Sequence, residues 1–130
     1  MQSTAQRIDP YEEGLALSQR GRHADAIESF ERALALKPDD PRVLFALGNT
    51  ARALDMVGPA EAFFRRVLAL EPGRIEALVN LANLLRANGD QAAARALLEP
   101  ALARSPAVAE FRLTLGSIAR ELGEIGRAHV

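Results

Sequence analysis

The sequence predicts an all-α chain made of repeated helix-turn-helix units, and three observations carry this. Shifting the chain by 34 residues lays like on like: LGNTARALDM at Leu47, LANLLRANGD at Leu81 and LGSIARELGE at Leu115 coincide, and Pro38, Pro72 and Pro106 stand 34 apart. Within each unit apolar residues recur at helical spacing, as at Leu78, Leu81, Ala82 and Leu85, then at Ala94, Leu97, Leu98, Ala101 and Leu102. Ala and Leu dominate a composition with 5% aromatic residues and no Trp, which suits small, closely packed helices better than a sheet. A fixed period of this length marks an array of units stacked on one another.

Each element has a local reason. Asp9-Pro10 and Asp40-Pro41 offer an N-cap followed by proline in the first turn, and start helices over 10–20 and 41–54. Gly21 and Gly89, by supplying positive φ, set off second helices over 24–36 and 91–103 from the first helices before them, and Gly123 ends a last helix over 107–122. The second unit carries Asp55 in that slot and Gly58 slightly later, so its turn is expected to differ in shape before a helix over 59–70. A helix over 74–87 completes the set, and the proline at each unit's end stops its second helix.

These residues resemble the tetratricopeptide repeat (TPR). Gly14, Gly48, Ala82 and Gly116 fill the small slot of its first helix, and Ala26, Ala60 and Ala94 that of its second. Phe30, Phe64 and Leu98 fill the large slot, followed by Ala33, Val67 and Ala101. Small residues let paired helices approach, and large ones fill the groove that results. The resemblance covers about residues 7 to 123 and implies an α-solenoid, a right-handed superhelix whose first helices line a concave groove. It divides the chain into a leader at 1–6, repeats at 7–40, 41–74 and 75–108, and the first helix of a truncated fourth at 109–123. Pro10 and Glu13 replace apolar residues in the first unit, which predicts a frayed or solvent-capping helix there, and Arg112 weakens the fourth.

Totals exclude several function classes. Lys plus Arg number 16 against 17 Asp plus Glu, for a net charge of -1, so no field of one sign favours nucleic acid or a membrane surface. With no cysteine there is no disulfide, thiol catalysis or cysteine zinc site. MQSTAQRIDP lacks the apolar run of a secretory signal, and nothing approaches the roughly 20 apolar residues of a membrane span. The expected compartment is the cytoplasm. His23 and His129 are the only histidines, and His23 is expected as exposed polar surface. No metal spacing, phosphate loop or catalytic set is found; Asp39-Asp40 and Glu12-Glu13 serve helix capping and first-turn charge. Neither an enzyme nor a cofactor is expected.

Beside the packing face of each first helix runs a second stripe at 3-4-3 spacing. It comprises Arg42, Phe45, Asn49, Arg52, then Glu76, Val79, Asn83, Arg86, then Glu110, Leu113, Ser117, Arg120; in the first unit it is Ile8, Tyr11, Leu15, Ser18. A carboxamide both donates and accepts, so Asn49 and Asn83 suit the peptide groups of an extended ligand. The slot resembles the asparagine ladder of the superhelical domain of O-linked N-acetylglucosamine transferase, with Ser117 a shorter replacement. Tyr11, Phe45, Val79 and Leu113 add apolar contact, and Arg52, Arg86 and Arg120 a line of guanidiniums suited to carboxylates. An asparagine near a helix seam equally serves structure by bonding a neighbouring group, and the arginines equally serve as solvated surface. Asn80 and Asn88 read as surface or turn residues. The terminal-carboxylate clamp of heat-shock cochaperones, another use of this family, needs basic residues where this chain has Tyr11, Leu15 and Val79.

The ending, EIGRAHV, reads as the translation of a sequencing-read adapter joined to a truncated gene. Residues 124–130 are then a non-native tail, Ile125 to Val130 lack packing partners, and Leu115, Ile118 and Leu122 are exposed for want of a next helix. The leading expectation is a protein- or peptide-binding scaffold, part of a longer protein, holding an extended partner in its groove. One alternative is the substrate-docking arm of a bacterial glycosyltransferase or sulfotransferase; another is self-association through the uncapped end.

Overall fold

A computed structural model of the chain describes the backbone of residues 8–128 and the side chains of residues 8–124. Among these are α1 (Pro10–Gln19), α2 (His23–Leu36), α3 (Pro41–Ala53), α4 (Val57–Leu70), α5 (Ile75–Ala87), α6 (Gln91–Arg104) and α7 (Ala109–Ala128), and no strand. The helices fall into two compact units that divide between Glu71 and Pro72. In the first, α1 packs on α2 and α3 on α4, while α1 and α2 both meet α3. In the second, α5 packs on α6, and both meet α7.

Three helix starts, those of α1, α3 and α6, follow the capping chemistry. The Asp9 carboxylate accepts from the Tyr11 N–H at 3.0 Å, and Asp40 from the Arg42 N–H at 3.0 Å, each with proline at the first helical position. Asp90 accepts from the Ala93 N–H at 3.1 Å to start α6. The helix expected from Pro59 begins instead at Val57. Proline in a first turn forfeits only an N–H that has no intrahelical partner, so it does not mark the boundary. The last helix begins at Ala109 rather than 107 and continues through Gly123 to Ala128. Glycine permits a helix end without imposing one, at a cost of roughly 1 kcal/mol against alanine when it stays helical. The packing expected of Ile125 to Val130 lies outside the described side chains.

All three hairpin turns have one geometry, which corrects the expectation for the second unit. The N–H of Gly21 donates to the Ser18 carbonyl and that of Arg22 to Leu17. Asp55 to Arg52 and Met56 to Ala51 repeat the pair, as do Gly89 to Arg86 and Asp90 to Leu85. This is the two-bond C-cap that needs a left-handed residue. Gly21 and Gly89 take φ of 76° and 86°, and Asp55 takes 58° in the same role. Aspartate is among the few side chains that tolerate this region, so the turn keeps its shape without glycine.

Packing follows the alternation of small and large slots. Ala26, Phe30, Ala33, Val43, Ala46 and Leu47 form a buried cluster in the first unit, flanked by Tyr11, Leu15 and Phe63. A Cβ on Gly14 would lie 2.4 Å from the Phe30 ring, so only glycine admits α2 at this distance. Glu13 does not leave α1 frayed: Arg32 of α2 donates to its carboxylate at 3.1 Å, and Pro10 serves as the helix's first residue. In the second unit Leu81, Ala82, Ala94, Leu98, Phe111 and Ile118 are buried. Ile118, expected to be exposed, is fully covered, and Leu115 and Leu122 are half-buried, because α7 meets both α5 and α6. Among the described residues, the large apolar side chain that α7 exposes is Leu113, at 72%. His23 is half-buried, not exposed, and its enclosed Nδ1 has no partner among the described residues.

Candidate functional site

In each unit the first helices lie beside one another, α1 by α3 and α5 by α7, and the stripe residues sit on them. In the first unit Tyr11 is half-buried with its ring centroid 6.1 Å from that of Phe30. The Arg42 guanidinium stands 4.7 Å from the centre of the Tyr11 ring, within cation–π range. Arg42 is also gripped by Asp40, donating from Nε at 3.2 Å and from Nη2 at 2.9 Å. That grip holds the Asp40 carboxyl below its ordinary value and raises Arg42. Phe45 packs on Phe64 with ring centroids 5.9 Å apart. Asn49 is half-buried on α3, and Arg52 is exposed one turn further on.

In the second unit the asparagine is part of a network. Arg86 donates from Nη1 to the Asn83 Oδ1 at 2.8 Å. Its Nε donates to Glu121 Oε1 at 3.1 Å, and its Nη2 to the same oxygen. Gln91 of α6 donates to the other carboxylate oxygen at 3.2 Å, so the four side chains tie α5, α6 and α7 together. Arg86 and Glu121 are 24% and 31% exposed, well shielded for an ion pair on a helical surface. The Arg86 hydrogen bonds hold the Glu121 carboxyl below its ordinary value. Asn83, Arg86, Ala87 and Glu121 line an open depression of about 290 Å³. Val79 is half-buried one turn before Asn83.

Ser117 keeps the spacing with a hydroxyl in place of the carboxamide. Its hydroxyl donates to the Leu113 carbonyl at 3.3 Å and accepts from Arg120 at 3.1 Å. Asn83 with Arg86 and Ser117 with Arg120 thus repeat one contact three residues apart. Among the described residues no three His, Cys, Asp or Glu side chains gather to hold a metal. No helix described is long and apolar enough to cross a membrane.

Comparison with known proteins agrees with this architecture. A TPR repeat family model matches residues 14–51, and a tetratricopeptide repeat model matches residues 75–118, together more than half of the chain. The chain belongs to the tetratricopeptide-repeat family. It has the family's all-α solenoid fold. The structure is similar to the Sgt2 TPR domain from Aspergillus fumigatus, with a TM-score of 0.80 and 19% identity over 91% of this chain and 80% of that one. It is similar to the first TPR of Spaghetti (RPAP3) bound to the HSP90 peptide SRMEEVD, with a TM-score of 0.78 and 19% identity over 88% and 90%. It is also similar to a thermophilic TPR protein from Thermus thermophilus, with a TM-score of 0.71 and 28% identity over 92% and 67%. No curated protein matches the sequence.

Within this TPR chain, the first unit holds Tyr11, Phe45, Asn49 and Arg52, and the second holds Val79, Asn83, Arg86, Leu113, Ser117 and Arg120. The three stripe arginines differ in their immediate surroundings. Arg86 is committed to Glu121, Arg120 to Ser117, and Arg52 is exposed. Sequence reasoning missed Glu121, and missed Asp40 as more than a cap. Glu121 does carry a signal: its slot holds the uncharged Gln19, Ala53 and Ala87 in the preceding units, and it stands 35 residues after Arg86.

Proposed function

We propose that this TPR chain is a non-catalytic scaffold that holds an extended peptide or protein segment against the stripes of its first helices. Tyr11, Phe45, Val79 and Leu113 would supply apolar contact, and Asn49 and Asn83 hydrogen bonds to the ligand backbone. The observation that carries the reading is the state of the Asn83 carboxamide. Its Oδ1 is fixed by Arg86, and among the described residues nothing accepts from its Nδ2. A donor held in place at the edge of an open depression matches the carbonyl of an extended chain. The fold likeness to Spaghetti (RPAP3), solved with an HSP90 peptide, supports the same class of ligand.

Selection of peptides from a random display library against the immobilised chain tests this. The peptides recovered should bind the double variant Asn49→Ala with Asn83→Ala about 5- to 140-fold more weakly, the range for two lost hydrogen bonds of about 0.5–1.5 kcal/mol each. Helix content should be unchanged. Equal binding to both proteins would overturn the reading.

A further inference from the structure

Glu121 takes the place in this network that an acidic ligand would seek. A guanidinium facing a ligand groove normally offers its two-toothed edge to a carboxylate of the partner. Here all three nitrogens of Arg86 are used: Nε and Nη2 on Glu121, Nη1 on Asn83. The Glu121 carboxylate is equally satisfied, with Gln91 on its second oxygen. The pair carries no net charge, and beside it Asn83 offers a neutral donor, its Nδ2.

Resting on the peptide-binding reading, we propose that Glu121 is a built-in competitor that makes the second unit select uncharged extended segments over acidic ones. A ligand carboxylate must displace Glu121 to reach Arg86, and would leave that carboxylate stranded beside it. A ligand carbonyl meets Asn83 with no such exchange. Arg86 is then a positioning residue: it turns the Asn83 amide so that its nitrogen faces outward. The repeat itself shows that the acid is dispensable for folding, since the equivalent positions hold Ala53 and Ala87 on well-formed first helices.

The test runs the same display selection on the wild-type chain, on Glu121→Ala, and on Glu121→Ala with Arg86→Gln. The wild-type pool should be poor in Asp and Glu, and the Glu121→Ala pool enriched in them. Its acidic peptides should bind Glu121→Ala about tenfold more tightly than wild type, the effect of one charge-assisted hydrogen bond. Adding Arg86→Gln should abolish that gain. Glu121→Gln, which keeps the side-chain volume, is the second variant should Glu121→Ala melt early, and the same gain is expected of it. Pools of equal acid content overturn the proposal and leave the peptide-binding reading standing. A gain that survives Arg86→Gln also overturns it, because net charge alone then explains the result. Pools whose binding ignores Asn83 overturn the peptide-binding reading, and the proposal with it.

Discussion

A Cβ added to Gly48 would lie 2.6 Å from Cε1 of Phe64, inside the contact distance of any two carbons. Gly14 and Phe30 repeat the relationship at 2.4 Å, whereas the third unit holds Ala82 and Leu98, both buried, in the equivalent slots. The two slots therefore behave as one unit of fixed total size.

Gly48→Ala should accordingly destabilise the chain by about 1–3 kcal/mol, because overpacking outweighs the better helix propensity of alanine. Combining it with Phe64→Leu should cost less than the sum of the single changes, since the pair then matches Ala82 and Leu98. Gly116 has open space at its Cβ, and Gly116→Ala should stabilise by about 0.5–1 kcal/mol. Urea denaturation of the four variants checks all three.

Asp55 holds a backbone conformation that glycine holds in the other two turns. Asp55→Gly should leave stability unchanged or raise it by up to about 1 kcal/mol, the relief of left-handed strain offset by unfolded-state entropy. Gly21→Ala, at φ 76°, should lose about 1 kcal/mol. Thermal melts of both separate a turn set by backbone geometry from one set by side-chain contacts.

Asp40 and Glu121 both have folded-state values held below their ordinary ones, 3.8 and 4.5. For a depressed carboxyl the stabilisation is fully present above the unfolded-state value and is lost as pH falls through the folded-state one. Melting temperature should therefore drop as pH falls from about 5 towards 3. Asp40→Asn, which still caps α3 through its side-chain oxygen, should flatten part of that slope, and Glu121→Gln another part. Asp40→Ala should in addition lose about 1 kcal/mol at neutral pH, the contribution of the cap.

Why some features were legible in the sequence and others were not follows from particular residues. The period of 34, carried by Pro38, Pro72 and Pro106, exposed the repeat, and the Asp-Pro pairs gave two helix starts to the residue. The turn at Asp55 was misjudged because backbone hydrogen bonding, not the residue letter, sets its shape. Ile118 was misjudged because a helix at the end of an array still packs on the two helices before it. The stripe was visible because repeats superpose its members. The Arg86–Glu121 pair was not, because it breaks the repeat: the slots equivalent to Glu121 hold Gln19, Ala53 and Ala87, so its signal is a departure from what the units share. Repetition shows what the units share, and the distinctive chemistry of this face lies where one unit departs.

The central claim is that the first-helix stripes, with Asn49 and Asn83 among them, are where a partner binds. Its most direct test is a titration of the isotope-labelled chain with a library-selected peptide, followed by nuclear magnetic resonance. Shifts should concentrate at Tyr11, Phe45, Val79 and the side-chain amides of Asn49 and Asn83. Shifts confined instead to outward residues of the second helices, such as Glu28, Arg65 and Arg95, with both asparagine amides unmoved, would contradict the account.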